Sequence, residues 1–196
     1  LQNPHWPLDE AVDYARTILN AVRRALPAGE KLIVATSKAI ATSLDDPDVK
    51  TYSVEDMHAL RRECLIAFMT PGLGNIFDAA ADNVATIWLP PANDSQGQQA
   101  DLMANHCADA ARIDWKDINP DWAFNYAASQ EKVLAQISMA SSSLSKNASL
   151  QDTLQHIISK KLEEPVSAPR HLLDEFGQGG AQKAALAVTS FCRSLR

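Results

Sequence analysis

Between Leu8 and Leu26 the apolar residues Val12, Ala15, Leu19, Val22 and Leu26 recur at steps of three and four. That spacing stacks them on one side of an α-helix and cannot be accommodated by the two-residue repeat of a strand. Pro7 stands just ahead of the run, Asp9, Glu10 and Asp13 occupy its first turns, and Pro27-Ala28-Gly29 ends it. Acids at the positive end of a helix and Pro or Gly at its close are the expected punctuation.

The same reading extends down the chain. It predicts a second helix over 30–44, with Ile33, Ile40 and Leu44 inward, before Asp45-Asp46-Pro47-Asp48 breaks the chain. A third opens on Ser53-Val54-Glu55-Asp56 and turns Met57, Leu60, Cys64 and Phe68 inward, and a fourth carries Ile76, Phe77, Ala80, Val84 and Trp88 up to Pro90-Pro91. Residues 89–98 read as an exposed polar loop. A fifth helix follows with Leu102, His106, Ala110 and Ile113, and Asn119-Pro120 opens a long sixth with Tyr126, Val133, Ile137, Ala140 and Leu144 inward. Six serines between Ser138 and Ser149 suggest that this helix frays into a hinge. Beyond it lie a helix with Leu154, Ile157, Ile158 and Leu162, a short one over 167–176, and a last one with Ala185, Val188, Cys192 and Leu195. No strand alternation and no fixed-period repeat is evident.

The expected architecture is all-α, a bundle of about seven to nine helices, with a larger body over 1–145 and a smaller helical lobe over 146–196. A chain of 196 residues, 46% hydrophobic and with seven glycines, can bury a core without disulfide or metal staples. No apolar run approaches the length of roughly 18 residues that spans a bilayer, and Leu1 to Trp6 lacks the pattern of a signal peptide. Cys64, Cys107 and Cys192 are odd in number and fall in apolar patterns, which reads as buried thiols in a reducing compartment, the cytoplasm of a cell or of a host cell. The sequons at Asn93 and Asn147 are then incidental.

Candidate chemistry is sparse. Glu55 and His58 form one Glu-x-x-His, the ligand spacing of di-iron bundles, but no second copy exists and both lie off the apolar stripe, so a solvated polar face is expected. Asp109, Asp114, Asp117 and Asp121 crowd within thirteen residues without the spacing of a calcium loop, and are read as helix-start acids. Cys107 beside His106 could suggest a nucleophile, but adjacent helical side chains diverge by about 100°, so a core thiol is expected. Gly72-Leu73-Gly74-Asn75 and Gly177-Gln178-Gly179-Gly180 each precede a helix and could offer N–H groups to an anion, but lack a following Lys-Ser or Lys-Thr and are read as turns. No catalytic, cofactor or metal site is assigned.

Charge points instead towards partners. The chain carries a net charge of −6, unevenly divided: residues 1–131 hold 10 basic and 19 acidic side chains, residues 132–196 hold 8 and 5. An acidic body joined to a basic end suits head-to-tail self-assembly or a protein partner, as in a helical capsid or nucleocapsid domain or a scaffolding adaptor. The candidate contact residues are Trp6, Trp115 and Trp122, which flank polar turns where an indole is often half-exposed, and Lys160, Lys161, Arg170 and Arg193 of the basic end. Arg16, Arg23, Arg24, Lys183 and Arg196 are read as solvated charge. Nucleic-acid binding through the basic end is the alternative, less favoured because the pI is near 5.3, and an enzyme with a site assembled from His106, Cys107, Asp114 and Asp117 is the third reading. A membrane partner is not expected.

Overall fold

The computed structural model describes residues 6–107, 111–177 and 179–194; Asp109, Ala110, Leu195 and Arg196 lie outside them. The protein is mostly helical, 64% helix and 6% strand, and fits a multi-helix bundle. In chain order the elements are α1 (Leu8–Ala25), β1 (Val34–Ala35), α2 (Lys38–Leu44), β2 (Val49–Lys50), α3 (Val54–Glu63), β3 (Ala67–Met69), α4 (Leu73–Asp82), β4 (Thr86–Trp88), α5 (Asp94–His106), α6 (Trp115–Ile118), a 3-10 turn (Pro120–Trp122), α7 (Gln130–Lys146), α8 (Ala148–Glu163), α9 (His171–Phe176) and α10 (Gly180–Ser194).

Helix α1 follows its periodicity: Val12, Ala15, Leu19 and Val22 are buried together with Tyr14 and Ile18. All of these but Leu19 share one apolar cluster with Val133, Ile137, Ala140 and Leu144 of α7 and Leu154 and Ile158 of α8. Arg23 clasps Asp46 through two hydrogen bonds of 2.7 and 3.2 Å, and Arg24 reaches Asp152 and Gln155 of α8. The serine-rich stretch does not fray. It completes α7, with Ser141 buried, and the Asn147 side chain caps α8 by accepting from the Ser149 and Leu150 N–H groups.

The expectation of no strands fails at four places. β1 pairs in parallel with β2, β3 pairs in parallel with β4, and a parallel bridge joins Trp88 to Arg112. Parallel neighbours require a crossover, and here α2, α4 and α5 supply them. The predicted second helix is therefore β1 and α2, with Ile33 exposed rather than inward. Likewise the predicted third and fourth helices stop early, at Glu63 and Asp82, and Phe68 and Trp88 belong to strands. Asn83 in the left-handed region ends α4.

Side-chain alternation along these strands separates two cores. Phe68 and Ile87, with Leu89, Ala111 and Ile113, face the cluster of α1, α7 and α8. Ala67, Met69 and Trp88 face a second cluster built from Ile76 and Ala79 of α4, Met103 of α5, Cys107 and Leu172 of α9. The ribbon β3, β4 and 111–113 is thus covered by helices on both faces, the arrangement that buries a parallel sheet.

Residues 89–92 are buried, not an exposed loop. The Tyr14 hydroxyl donates to the Pro90 carbonyl at 2.9 Å and the Trp115 indole N–H to the Pro91 carbonyl at 2.7 Å. Proline carbonyls have no N–H of their own residue to balance them, and buried acceptors need such donors. Burial drives the Tyr14 phenol well above its ordinary pKa, so it stays a donor.

Helix α5 meets Tyr126 at Gly97, where a Cβ would fall 2.1 Å from the ring. Tyr126 in turn donates to Asp114 at 2.8 Å, both groups buried. Gly97→Ala is expected to lose about 1–3 kcal/mol through overpacking, despite alanine's better helix propensity. Urea unfolding checks this; an unchanged or raised midpoint would contradict the packing described.

Candidate functional site

The carboxyl ends of parallel strands are where open α/β folds gather ligands, because the loops leaving them open helices whose first N–H groups point back at the crevice. Four such loops occur here. Thr36 and Ser37 leave β1, Thr51-Tyr52-Ser53 leaves β2, Thr70-Pro71-Gly72 leaves β3, and 89–93 leaves β4.

Three of the four helix starts are closed by side chains. The Ser37 hydroxyl accepts from the Ile40 N–H, the Ser53 hydroxyl from the Asp56 N–H at 3.0 Å, and the Asn93 side chain from the Gln96 N–H at 2.8 Å. The fourth, α4, has Gly72 at its N-cap and no side-chain cap. A glycine there exposes the N–H groups of Leu73, Gly74 and Asn75 without a Cβ in front of them. Around Gly74 nothing lies within 4 Å of where a Cβ would stand.

Amide side chains from the first turns of α4 and α5 converge beside Gly72. The Asn75 and Gln96 side-chain nitrogens each lie 3.9 Å from its Cβ position. Asn75 is held by donating to the Thr70 carbonyl at 2.9 Å, and Gln96 by accepting from the Ala92 N–H at 2.9 Å. Close by in sequence, the buried Oδ1 of Asp94 has no hydrogen-bond partner among the described residues, nor has the buried hydroxyl of Thr36 beyond β1. Buried acceptors without donors are uncommon and costly. The crevice therefore offers N–H donors for an anion and amides for polar groups.

The turn Gly72-Leu73-Gly74-Asn75, read from sequence as an interhelix turn, is in fact this strand-to-helix loop. What concealed it was the strand before it, three residues long. The second glycine turn precedes α10 and follows α9, not a strand; Gly177 and Gly179 have positive φ, and Gln178 lies outside the described residues.

The other sequence candidates are dispersed. Glu55 is exposed, but His58 is not on a solvated face. Its Nδ1 lies 2.7 Å from Asp82, whose side chain is 3% exposed and also binds Arg61 at 2.7 Å and Arg62 at 3.1 Å. Arg61 is itself buried and reaches Asp78 at 3.0 Å. This network staples α3 to α4. Among the carboxylates of 114–121, Asp114 starts α6 and is buried, Asp117 accepts the Asp114 N–H at 2.7 Å, and Asp121 opens the 3-10 turn. His106 pairs with Glu175 of α9 at 2.9 Å, stacks on Phe176, and is separate from Cys107, which is buried in the second core. Contrary to expectation, Cys64 and Cys192 are exposed.

The indoles also divide. Trp6 and Trp115 are buried, Trp115 at 0% exposure, and they form a chain of ring contacts with Tyr14 and Trp122. The expectation of half-exposed rings therefore fails for Trp6 and Trp115, and Trp122 is the one of the three that stays half-buried. Lys160, Arg170 and Arg193 are exposed and Lys161 half-buried. No helix among the described residues is long and apolar enough to cross a membrane. No family model, curated protein or solved structure matches the chain.

The Asp82 network makes a definite prediction. Burial opposes ionisation of Asp82, yet Arg61, His58 and Arg62 outweigh it and hold the carboxyl below its ordinary pKa. Its stabilisation is therefore complete above the unfolded value near 3.9 and is lost as pH falls through the lower folded value. Asp82→Asn should cost about 1–3 kcal/mol at pH 7, because buried Arg61 loses its nearest carboxylate and keeps Asp78, with the gap to the parent narrowing as pH drops below about 4. Urea midpoints at the two pH values measure it.

Proposed function

We propose that this chain is a ligand-binding domain whose site lies at the carboxyl ends of β3 and β4, and that it takes a small molecule bearing both phosphate and hydroxyl groups, of the nucleotide or sugar-phosphate class. The observation that carries the reading is the uncapped N-terminus of α4, opened by Gly72 and flanked by the Asn75 and Gln96 amides. Three or so convergent N–H groups and the positive end of a helix dipole stabilise a phosphate without any side-chain cation. The Asn75 and Gln96 amides supply the polar contacts that a ligand hydroxyl would meet. The step from helix start to nucleotide-type ligand rests on the general behaviour of parallel α/β sheets.

Gly74→Asp separates binding from folding. The residue is the second of α4, its backbone is not in the left-handed region, and space surrounds it. An aspartate there should stabilise the fold by about 0.5 kcal/mol through the helix dipole and better propensity. Its carboxylate should at the same time abolish binding of a phosphate group at this crevice, read most directly with the hexose monophosphates. Thermal-shift and calorimetric titration against nucleoside diphosphates, their hexose conjugates and hexose phosphates would show it. A parent protein that binds none of them, or a Gly74→Asp variant that binds as well as the parent, refutes the site.

A second reading, self-assembly or a protein partner, is favoured by α10. Leu186, Val188 and Phe191 on this helix are each more than 60% exposed, and its charged residues Lys183 and Arg193 are both basic. An apolar helix edged by positive charge suits an acidic surface, which the body of this chain provides. On this reading the solution mass rises with concentration and falls back in high salt or on replacing Leu186 and Val188 with Glu. Light scattering that finds a monomer throughout removes the self-assembling form.

A further inference from the structure

A groove of about 560 Å³ runs between the C-terminal half of α8 and the segment 112–117. One wall carries Arg112, Lys116 and Asp117, the other His156, Ile157, Lys160, Lys161 and Glu164. Four of the eighteen basic residues of an acidic chain thus face one cavity, against two carboxylates.

Those charges are not equally available. Lys161 pairs with Glu164 at 3.1 Å, and Asp117 is engaged by the Asp114 N–H. Arg112 spends one guanidinium nitrogen, Nη1, on Asp101 and the Ala100 carbonyl, which fixes the side chain in place. By contrast neither Lys116 nor Lys160 is within 4.0 Å of a described carboxylate. Lys160 and Lys161 stand in the last turn of α8 and Lys116 in the last turn of the short α6, so the C-terminal ends of two helices bring their cations to opposite walls of one groove. Like charges facing each other across a cavity repel unless an anion lies between them. His156 adds a further hydrogen-bonding side chain to the walls.

We propose that this groove is an anion site, separate from the strand-end crevice, and that it takes a small polyphosphate. Its volume exceeds what one phosphate group fills, and its cations stand on two walls, so a ligand with at least two phosphates bridges them where a single one cannot. Lys116 and Lys160 are the principal contacts, with Arg112 and His156 as further donors. The site uses side-chain charge, so its affinity falls steeply with salt.

The test titrates inorganic pyrophosphate into the full chain by calorimetry, with orthophosphate, sulfate and a single-stranded RNA oligonucleotide alongside. Pyrophosphate should bind at least about 10-fold tighter than orthophosphate or sulfate, a difference of one decade in Kd. Paired Lys116→Ala and Lys160→Ala should weaken it at least about 10-fold, whereas Lys50→Ala with Lys146→Ala, outside the groove, should not. Gly74→Asp should leave it intact, which separates this site from the proposed strand-end site. Absence of pyrophosphate binding up to about 10 mM, equal loss in both lysine pairs, or binding of RNA alone overturns the proposal. Circular dichroism of each variant verifies that the fold survives.

Discussion

Two hydrogen bonds fix the centre of this molecule: Tyr14 to the Pro90 carbonyl and Trp115 to the Pro91 carbonyl. They link α1, α6 and the loop that leaves β4, and they do so inside the apolar cluster where an unmet carbonyl would cost most. Because Pro90 and Pro91 restrict their own φ, the loop has few conformations to lose, and the two donors select one of them. Everything beyond the loop inherits that choice. Ala92 is placed to donate to Gln96, Asn93 to cap α5, and Gly97 to receive the ring of Tyr126. The start of α5 is thereby set against the start of α4 by the core rather than by the loop itself.

The ribbon of β3, β4 and 111–113 matters out of proportion to its length. Each strand residue commits its side chain to one face, so Ile87 and Trp88, adjacent in sequence, belong to different cores. Without this ribbon the helices could pack as a bundle around one core. With it, two cores are needed, and the helix starts of α4 and α5 are brought to the same edge. The Asp82 network then clamps α3 to α4 on the outer side through buried Arg61.

Amphipathic helices were legible because a helix with one apolar stripe repeats its signal many times; α1, α7 and α8 carry Val12 to Val22, Val133 to Leu144 and Leu154 to Ile158 as expected. The strands were not, for a specific reason. A strand buried on both faces shows no alternation, only a short apolar run, and Cys64 to Phe68 or Val84 to Trp88 also satisfies the four-residue helical step. The stronger local signals were the left-handed Asn83 and the β-branched Thr86-Ile87, which oppose a helix continuing from α4. Once β3 was taken as helix, Gly72-Leu73-Gly74-Asn75 could only be a turn between helices. The candidate site was thus written in the sequence, but its meaning depended on three residues ahead of it. His58 shows a different limit: its polar surroundings come from Asp82 and Arg61, and the carboxylate lies on the next helix, which no periodicity along α3 reveals.

The two proposed anion sites differ in kind, and the difference has consequences. At α4 the attraction comes from N–H groups and a helix dipole, which act over a turn of helix and depend on direction. At the α6–α8 groove it comes from mobile ammonium groups, which act over a Debye length of about 8 Å at physiological salt and depend little on direction. The first would discriminate among ligands by shape, since Asn75 and Gln96 must both be met. The second discriminates by charge. A net charge of −6 makes long-range capture of anions by the whole surface unfavourable, so whatever anion this protein holds must be recognised at contact. That requirement favours the directional site for selectivity and leaves the groove for ligands dense enough in charge to overcome the acidic body around it.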